Sequence, residues 1–176
     1  MDICEFFEQS VGKWFSQRTT HDLVSNQSAS GQSSLWVEVI AANDATVQQL
    51  CQHHQIDPDQ ALLGVKIRWE GDMGLGTKKQ VGSALLVPLL SPDQNRTGKL
   101  IQQAITPAAS MMVSHYALDE EDALTLITHQ DGYSLEERVW FASPTLRFRT
   151  STMKRSDEFT SASFCSEIRL GDVAAA

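Results

Sequence analysis

The sequence predicts a mainly β chain, an up-and-down antiparallel barrel of about ten strands with an N-terminal helix and one short helix after the second strand. Three observations carry this. From Lys13 onward apolar residues recur every two positions and not at helical spacing. The breaks between runs are short and rich in turn residues. A meander of many short strands also has long edges to protect, and closure into a barrel removes them.

The elements follow in order. Ile3, Phe6, Phe7 and Val11 fall on one helical face behind Asp2, a good N-cap, and Gly12 stops the helix. Period-two runs lie near 13–23, 33–41, 61–70, 81–88, 97–105, 110–117, 123–130, 133–142, 145–154 and 158–169. Ser91-Pro92-Asp93, Asp119 to Asp122, Asp131-Gly132 and Ser143-Pro144 join later runs as hairpins. Between the second and third runs, Val47, Leu50 and Cys51 recur at helical spacing after Asn43 or Asp44, which places a short amphipathic helix within Asp44 to Gln55, lying against the barrel. Residues 1–171 read as one unit, without repeats or linkers, and 172–176, ending in three alanines, as a frayed tail.

A chain of 176 residues with 41% hydrophobic content can build its core without disulfides or metal. The net charge of -8 argues against nucleic acid and anionic membranes as partners, since both require dense basic surface. Cys4, Cys51 and Cys165 show no metal-ligand spacing and fit a reducing cytosol. Asp2, Glu5 and Glu8 stand where a signal peptide would be basic, and no segment reaches the roughly 20 apolar residues that span a bilayer. A cytoplasmic protein without membrane insertion is expected. Cys51 and Cys165 read as small hydrophobes with no catalytic role, and the adjacent His53 and His54 as solvated surface with no metal.

A barrel of about eight to ten strands can hold one small ligand. The stretch from Glu136 to Arg155 is the most informative about it. Strand parity puts Arg147, Arg149 and Ser151 on one face and Leu146, Phe148 and Thr150 on the other. The pattern leaves open which face is inside. Inward arginines require an acidic partner, for which Glu137 on the preceding strand is suited, or an acidic ligand, which a guanidinium can hold in bidentate fashion.

Gly12-Lys13-Trp14 at the first helix-to-strand junction resembles the Gly-x-Trp of lipocalin-like (calycin) barrels, in which the Trp closes the barrel bottom and an arginine near the last strand, here Arg169, stacks on it. Glu137-Arg138-Val139-Trp140-Phe141-Ala142-Ser143-Pro144 followed by Leu146-Arg147-Phe148-Arg149-Thr150-Ser151 closely resembles the signature of the S/U-type phycobiliprotein lyases. Phe15 to His21 looks like that family's first strand, Ile67 to Gly71 like its central tryptophan segment, and Ser163 to Glu167 like its closing strand. The resemblance runs from about residue 5 to residue 169.

It implies a bilin lyase that holds an open-chain tetrapyrrole of the phycocyanobilin type non-covalently and promotes thioether attachment to a cysteine of an apo-phycobiliprotein subunit of phycocyanin or allophycocyanin type. The bilin is substrate, with no separate cofactor. On this reading Arg147 and Arg149 pair with the propionates, Ser151 adds a hydrogen bond, and Glu137 is the catalytic residue, accepting pyrrole N–H groups and stabilising a protonated bilin. Arg18, which shares a strand face with Trp14 and Ser16 while His21 does not, is a further ligand contact, as are Trp69 by stacking and Glu167. The segment from Gly71 to Gln80 departs from the family's pattern in having no second tryptophan, which raises a heterodimer with a paralogous lyase subunit, besides a homodimer, as the working unit. Alternatives are a non-catalytic bilin carrier or chaperone, a supporting subunit, and a fatty-acid-binding barrel.

Overall fold

The structure, a computed structural model, describes residues 1–72, 79–105 and 110–171. The alanine-rich tail and most of the Gly71–Gln80 loop lie outside the described residues.

Helix α1 (Ile3–Ser10) starts with a reciprocal capping box: Glu5 N–H donates to the Asp2 carboxylate and Asp2 N–H to the Glu5 carboxylate, both at 2.9 Å. Its Ile3, Phe6 and Phe7 enter one end of the barrel. Val11 is not on that face as the spacing implied: the helix ends a residue earlier, and Val11 is its exposed C-cap. Gly12 opens the first strand at a φ of +128°, which a side chain rarely tolerates.

Ten strands follow: β1 (Gly12–Asp22), β2 (Gln27–Ile40), β3 (Gly64–Gly71), β4 (Gln80–Pro88), β5 (Thr97–Ile105), β6 (Ser110–Leu118), β7 (Leu124–Gln130), β8 (Tyr133–Ser143), β9 (Leu146–Arg155) and β10 (Glu158–Leu170). Each is antiparallel to its chain neighbours, and β1 pairs with β10, so the barrel is closed. Strand β2 starts six residues before the expected 33, because Gln27 to Gln32 holds only small and polar residues and shows no hydrophobic alternation while still pairing with β1. The expected strand from 61 begins at Gly64; Ala61 makes only an isolated bridge to Leu89. Helix α2 (Ala45–His53) is capped by Asp44 and lays Val47, Leu50 and Cys51 over Leu85, Val87 and Ile101 on the outside of the barrel. The larger core is inside, at the end filled by α1.

Two hairpins close on two-residue turns of the type that matches strand twist, with positive φ at both central residues: Asp131-Gly132 between β7 and β8, and Ser156-Asp157 between β9 and β10. The second is followed by a β-bulge. Arg155 pairs with Glu158, but beyond the shift between Phe159 and Ser161 the partners are one residue further along, Arg149 with Cys165 and Arg147 with Glu167. The extra residue, Thr160, is tied down: its carbonyl accepts from Leu23 N–H at 3.0 Å, and its hydroxyl donates to the Met153 carbonyl at 3.2 Å.

Candidate functional site

Trp14 of β1 is fully buried at the closed end, where its indole N–H donates to the Ser10 carbonyl at 2.9 Å. Two guanidiniums lie over its ring, Arg169 at 4.2 Å and Arg147 at 4.4 Å. Arg169 also donates to the Gln9 and Pro144 carbonyls at 2.5 and 3.0 Å and to the Val11 carbonyl, which ties the end of α1 to β10. Arg147 is the inner member of this stack and lines the lumen.

Above it the lumen narrows to a cavity of ≈ 270 Å³. Its polar wall carries Arg18, Glu137, Arg147, Arg149 and Glu167, and its apolar wall includes Leu86, Leu124, Val139 and Trp69. Trp69 has room because residue 82 of the neighbouring strand is glycine; a Cβ there would come within 2.6 Å of the indole Cε2. A larger groove of ≈ 540 Å³ lies outside the barrel between α2 and the sheet, lined by Trp36, Lys66 and His53 among others. The lumen is the stronger candidate because it gathers buried ionised groups, which cost free energy to place there.

The arginines of β9 therefore turn inward, while Phe148 stacks outside between Trp140 and Phe164, at ring-centroid distances of 5.7 and 5.6 Å. Their environments differ. Arg147 is 3% exposed and donates from Nε to Glu167, itself 1% exposed. Arg149 lies 3.5 Å from Glu137 through Nη1 and 3.5 Å from Glu167 through Nε, and this buried Nε makes no hydrogen bond. Glu167, more than Glu137, is thus the acid that neutralises the pair. Ser151 shares the inward parity, but its hydroxyl is bonded to Ser163 at 2.6 Å, one step beyond Arg149 toward the open end. Arg18 reaches the lumen and donates from Nε to Cys165 Sγ at 3.2 Å, whereas His21 is exposed.

That contact corrects the expectation for Cys165. It is fully buried, yet not a plain hydrophobe, since register brings it between Arg18 on β1 and Arg149 on β9. Its sequence neighbours gave no sign of this. Cys51 does sit in the apolar core under α2, and of the histidine pair His53 is exposed but His54 is half-buried, its Nε2 without a hydrogen bond. Among the described residues no group of three acidic, histidine or cysteine side chains could hold a metal, and no helix is long and apolar enough to cross a membrane.

Burial alone would raise the Glu167 carboxyl, but Arg149 and Arg147 outweigh it and hold the acid below its ordinary 4.5. Burial draws Arg147 down to about 10, against the pull of Glu167. Burial also opposes charge on Arg149, yet Glu167 and Glu137 more than compensate and raise it. The depressed Glu167 stabilises the fold fully above pH 4.5, and this contribution is lost as pH falls through the lower, folded-state value. Stability measured by urea unfolding should therefore fall more steeply below pH 4.5 in the wild type than in Glu167→Gln; parallel curves would show that the acid is not held ionised by the pair.

A closed antiparallel barrel of ten strands around a charge-lined lumen is a lipocalin-like architecture. The chain belongs to the CpeS-like family, whose model matches residues 2–170. A chromophore lyase CpcS/CpeS of Thermosynechococcus vestitus is 44% identical over 171 residues, covering 97% of this chain and 94% of the relative. The phycocyanobilin lyase subunit CpcS of a Picosynechococcus species is 35% identical, covering 96% of this chain and 86% of its own. The solved structure of the S-type phycobiliprotein lyase CPES from Guillardia theta superposes with a TM-score of 0.83 at 30% identity, covering 98% of this chain and 95% of that one.

Proposed function

We propose that this chromophore lyase binds a bilin of the phycocyanobilin type in the lumen, without a further cofactor, and promotes its attachment to a cysteine of an apo-phycobiliprotein subunit. The observation that carries the reading is the lumen's charge: among the described lining residues three guanidiniums, Arg18, Arg147 and Arg149, face two carboxylates, Glu137 and Glu167. On a chain with net charge -8, that excess of one positive charge in a cavity suits an anionic ligand.

The members of the set divide the work. Arg147 is spent on Glu167 and Trp14, so it holds the wall in place. Arg149, with a buried Nε that makes no hydrogen bond, and Arg18 on the adjoining wall are the anchors for ligand carboxylates. Glu137 has a 25% exposed side chain and only a long 3.5 Å contact to Arg149, so its carboxylate can turn to pyrrole N–H groups. Trp69 offers an indole edge or face across the cavity.

The cavity's ≈ 270 Å³ is just below the roughly 300 Å³ at which pockets begin to engulf a drug-sized ligand. A tetrapyrrole would seat its acidic part and leave the remainder toward the open end, where an acceptor thiol can reach it. The nucleophile is the acceptor's cysteine and the electrophile is the bilin's own ethylidene. What the barrel supplies is one conformation, one orientation and, through Glu137, a protonated chromophore that is more easily attacked.

Reconstitution with phycocyanobilin and apo-subunits, with and without a paralogous subunit, tests this: attached chromophore should survive denaturation. A protein that changes the bilin spectrum yet leaves every acceptor unmodified, alone or with the paralogue, would be a carrier. Glu137→Gln should bind bilin with a shifted absorbance and transfer it at least about tenfold more slowly; an unchanged spectrum and rate would remove Glu137 from the mechanism.

A further inference from the structure

Across the lumen from its charged groups, the apolar wall carries an amide. Gln102 of β5 lines the cavity among leucines and donates from its amide to the Ser114 hydroxyl of β6 at 2.9 Å. Ser114 is fully buried and shares a 2.5 Å hydrogen bond with the Thr128 hydroxyl of β7, which is 6% exposed. The chain of polar groups therefore crosses three strands on the inner face of the barrel. Ser114 also falls in an inward-facing series whose next members are Tyr116 and Leu118, both part of the apolar core. Polar groups placed in such a wall cost free energy even when they bond to one another, and leucine or valine could fill the same volume.

The position is also specific. In the closed order of ten strands β5 stands five places from β10 in either direction, so Gln102 and Glu167 line the cavity from opposite walls. The lumen has two poles: a charged one on β1, β8, β9 and β10, and a neutral amide on β5. Gln102 supplies the only carboxamide among the described lining residues. Ser114 takes one of its two amide hydrogens; the other, beside the carbonyl oxygen, forms a paired donor and acceptor. A lactam, with its N–H and C=O side by side, is the complementary group.

We infer that Gln102, held in orientation by Ser114 and Thr128, recognises a terminal lactam ring of the bound ligand while Arg149 and Arg18 hold its carboxylates. This rests on the bilin reading, and it adds the second attachment point that fixes which way round the ligand lies. One anchored end allows rotation in the barrel; two opposed anchors do not.

The test is titration of wild type, Gln102→Leu and Ser114→Ala with phycocyanobilin, followed by absorbance, beside anilinonaphthalene sulfonate, an acidic apolar probe without a lactam, followed by fluorescence. Gln102→Leu should bind phycocyanobilin about tenfold more weakly and the probe as well as wild type does. Ser114→Ala, which frees the amide to rotate, should show a smaller loss of about threefold for the bilin alone. Bilin affinity in Gln102→Leu within twofold of wild type overturns the inference, and so does an equal loss for both ligands, which would mark Gln102 as structural. If the wild type itself leaves the bilin spectrum unchanged, the bilin reading falls first and the lactam assignment with it.

Discussion

Arg147→Met is expected to lower the unfolding free energy by about 3–5 kcal/mol, the usual consequence of stranding one member of a buried ion pair. Glu167 is 1% exposed, so it cannot recover its hydration when its nearest partner is gone. The indole of Trp14 loses one of its two stacked cations at the same time. For a chain of 150–250 residues each kcal/mol moves the midpoint by roughly 2–4 °C, so thermal unfolding followed by circular dichroism should show a drop on the order of 10 °C. Adding Glu167→Gln should return a good part of the loss, because it removes the stranded charge without restoring the pair. A single variant as stable as the wild type would mean that Glu167 is satisfied by Arg149 alone.

Arg149→Met should behave in the opposite way. Glu167 keeps Arg147, and Glu137 is exposed enough to be hydrated, so the melting midpoint should move by only a few degrees. The loss is expected in binding. Truncating one partner of a buried charged hydrogen bond costs about 2–5 kcal/mol, which for phycocyanobilin corresponds to at least about a 30-fold weaker affinity, read from the absorbance titration. Attachment to the acceptor should fall with it. A variant that binds the bilin as tightly as the wild type would show that Arg149 does not hold a ligand carboxylate. The two substitutions, two residues apart on one strand, thus separate a group that supports the wall from one that meets the ligand.

The fold was legible in the sequence for a simple reason: one inward residue in two must be apolar, small or paired, and tight turns demand particular residues. Asp131-Gly132 and the runs on either side of it declare a hairpin without further information. Where inward residues are small or polar the signal fades, and the first part of β2, with Ala29 and Gly31 facing in, lies outside the expected run for that reason. The site was half legible. Parity groups Arg147 with Arg149, but periodicity alone does not say that Phe148 lies outside, because an aromatic ladder of Trp140, Phe148 and Phe164 on the outer face imitates a core. Cys165 could not be placed beside Arg18, 147 positions away, without the closing pair of strands. Gln102 carried only a faint mark, a serine at 114 in an inward-facing series otherwise rich in apolar residues.

Thr160 acts on β10 as a reading frame acts on a message. Its insertion advances the strand by one residue, and every later side chain changes sides: Glu167 faces Arg147 where an unbulged hairpin would present Ser166. A one-residue deletion in this hairpin would look harmless in an alignment, at a surface turn far from the closed end. It would nevertheless swap the more deeply buried of the lumen's two carboxylates for a hydroxyl and turn Glu167 out to solvent. Among relatives of this barrel the length of the segment between Arg155 and Ser161 should be constrained more tightly than its composition, and designers who shorten it for rigidity would be editing the chemistry of the cavity.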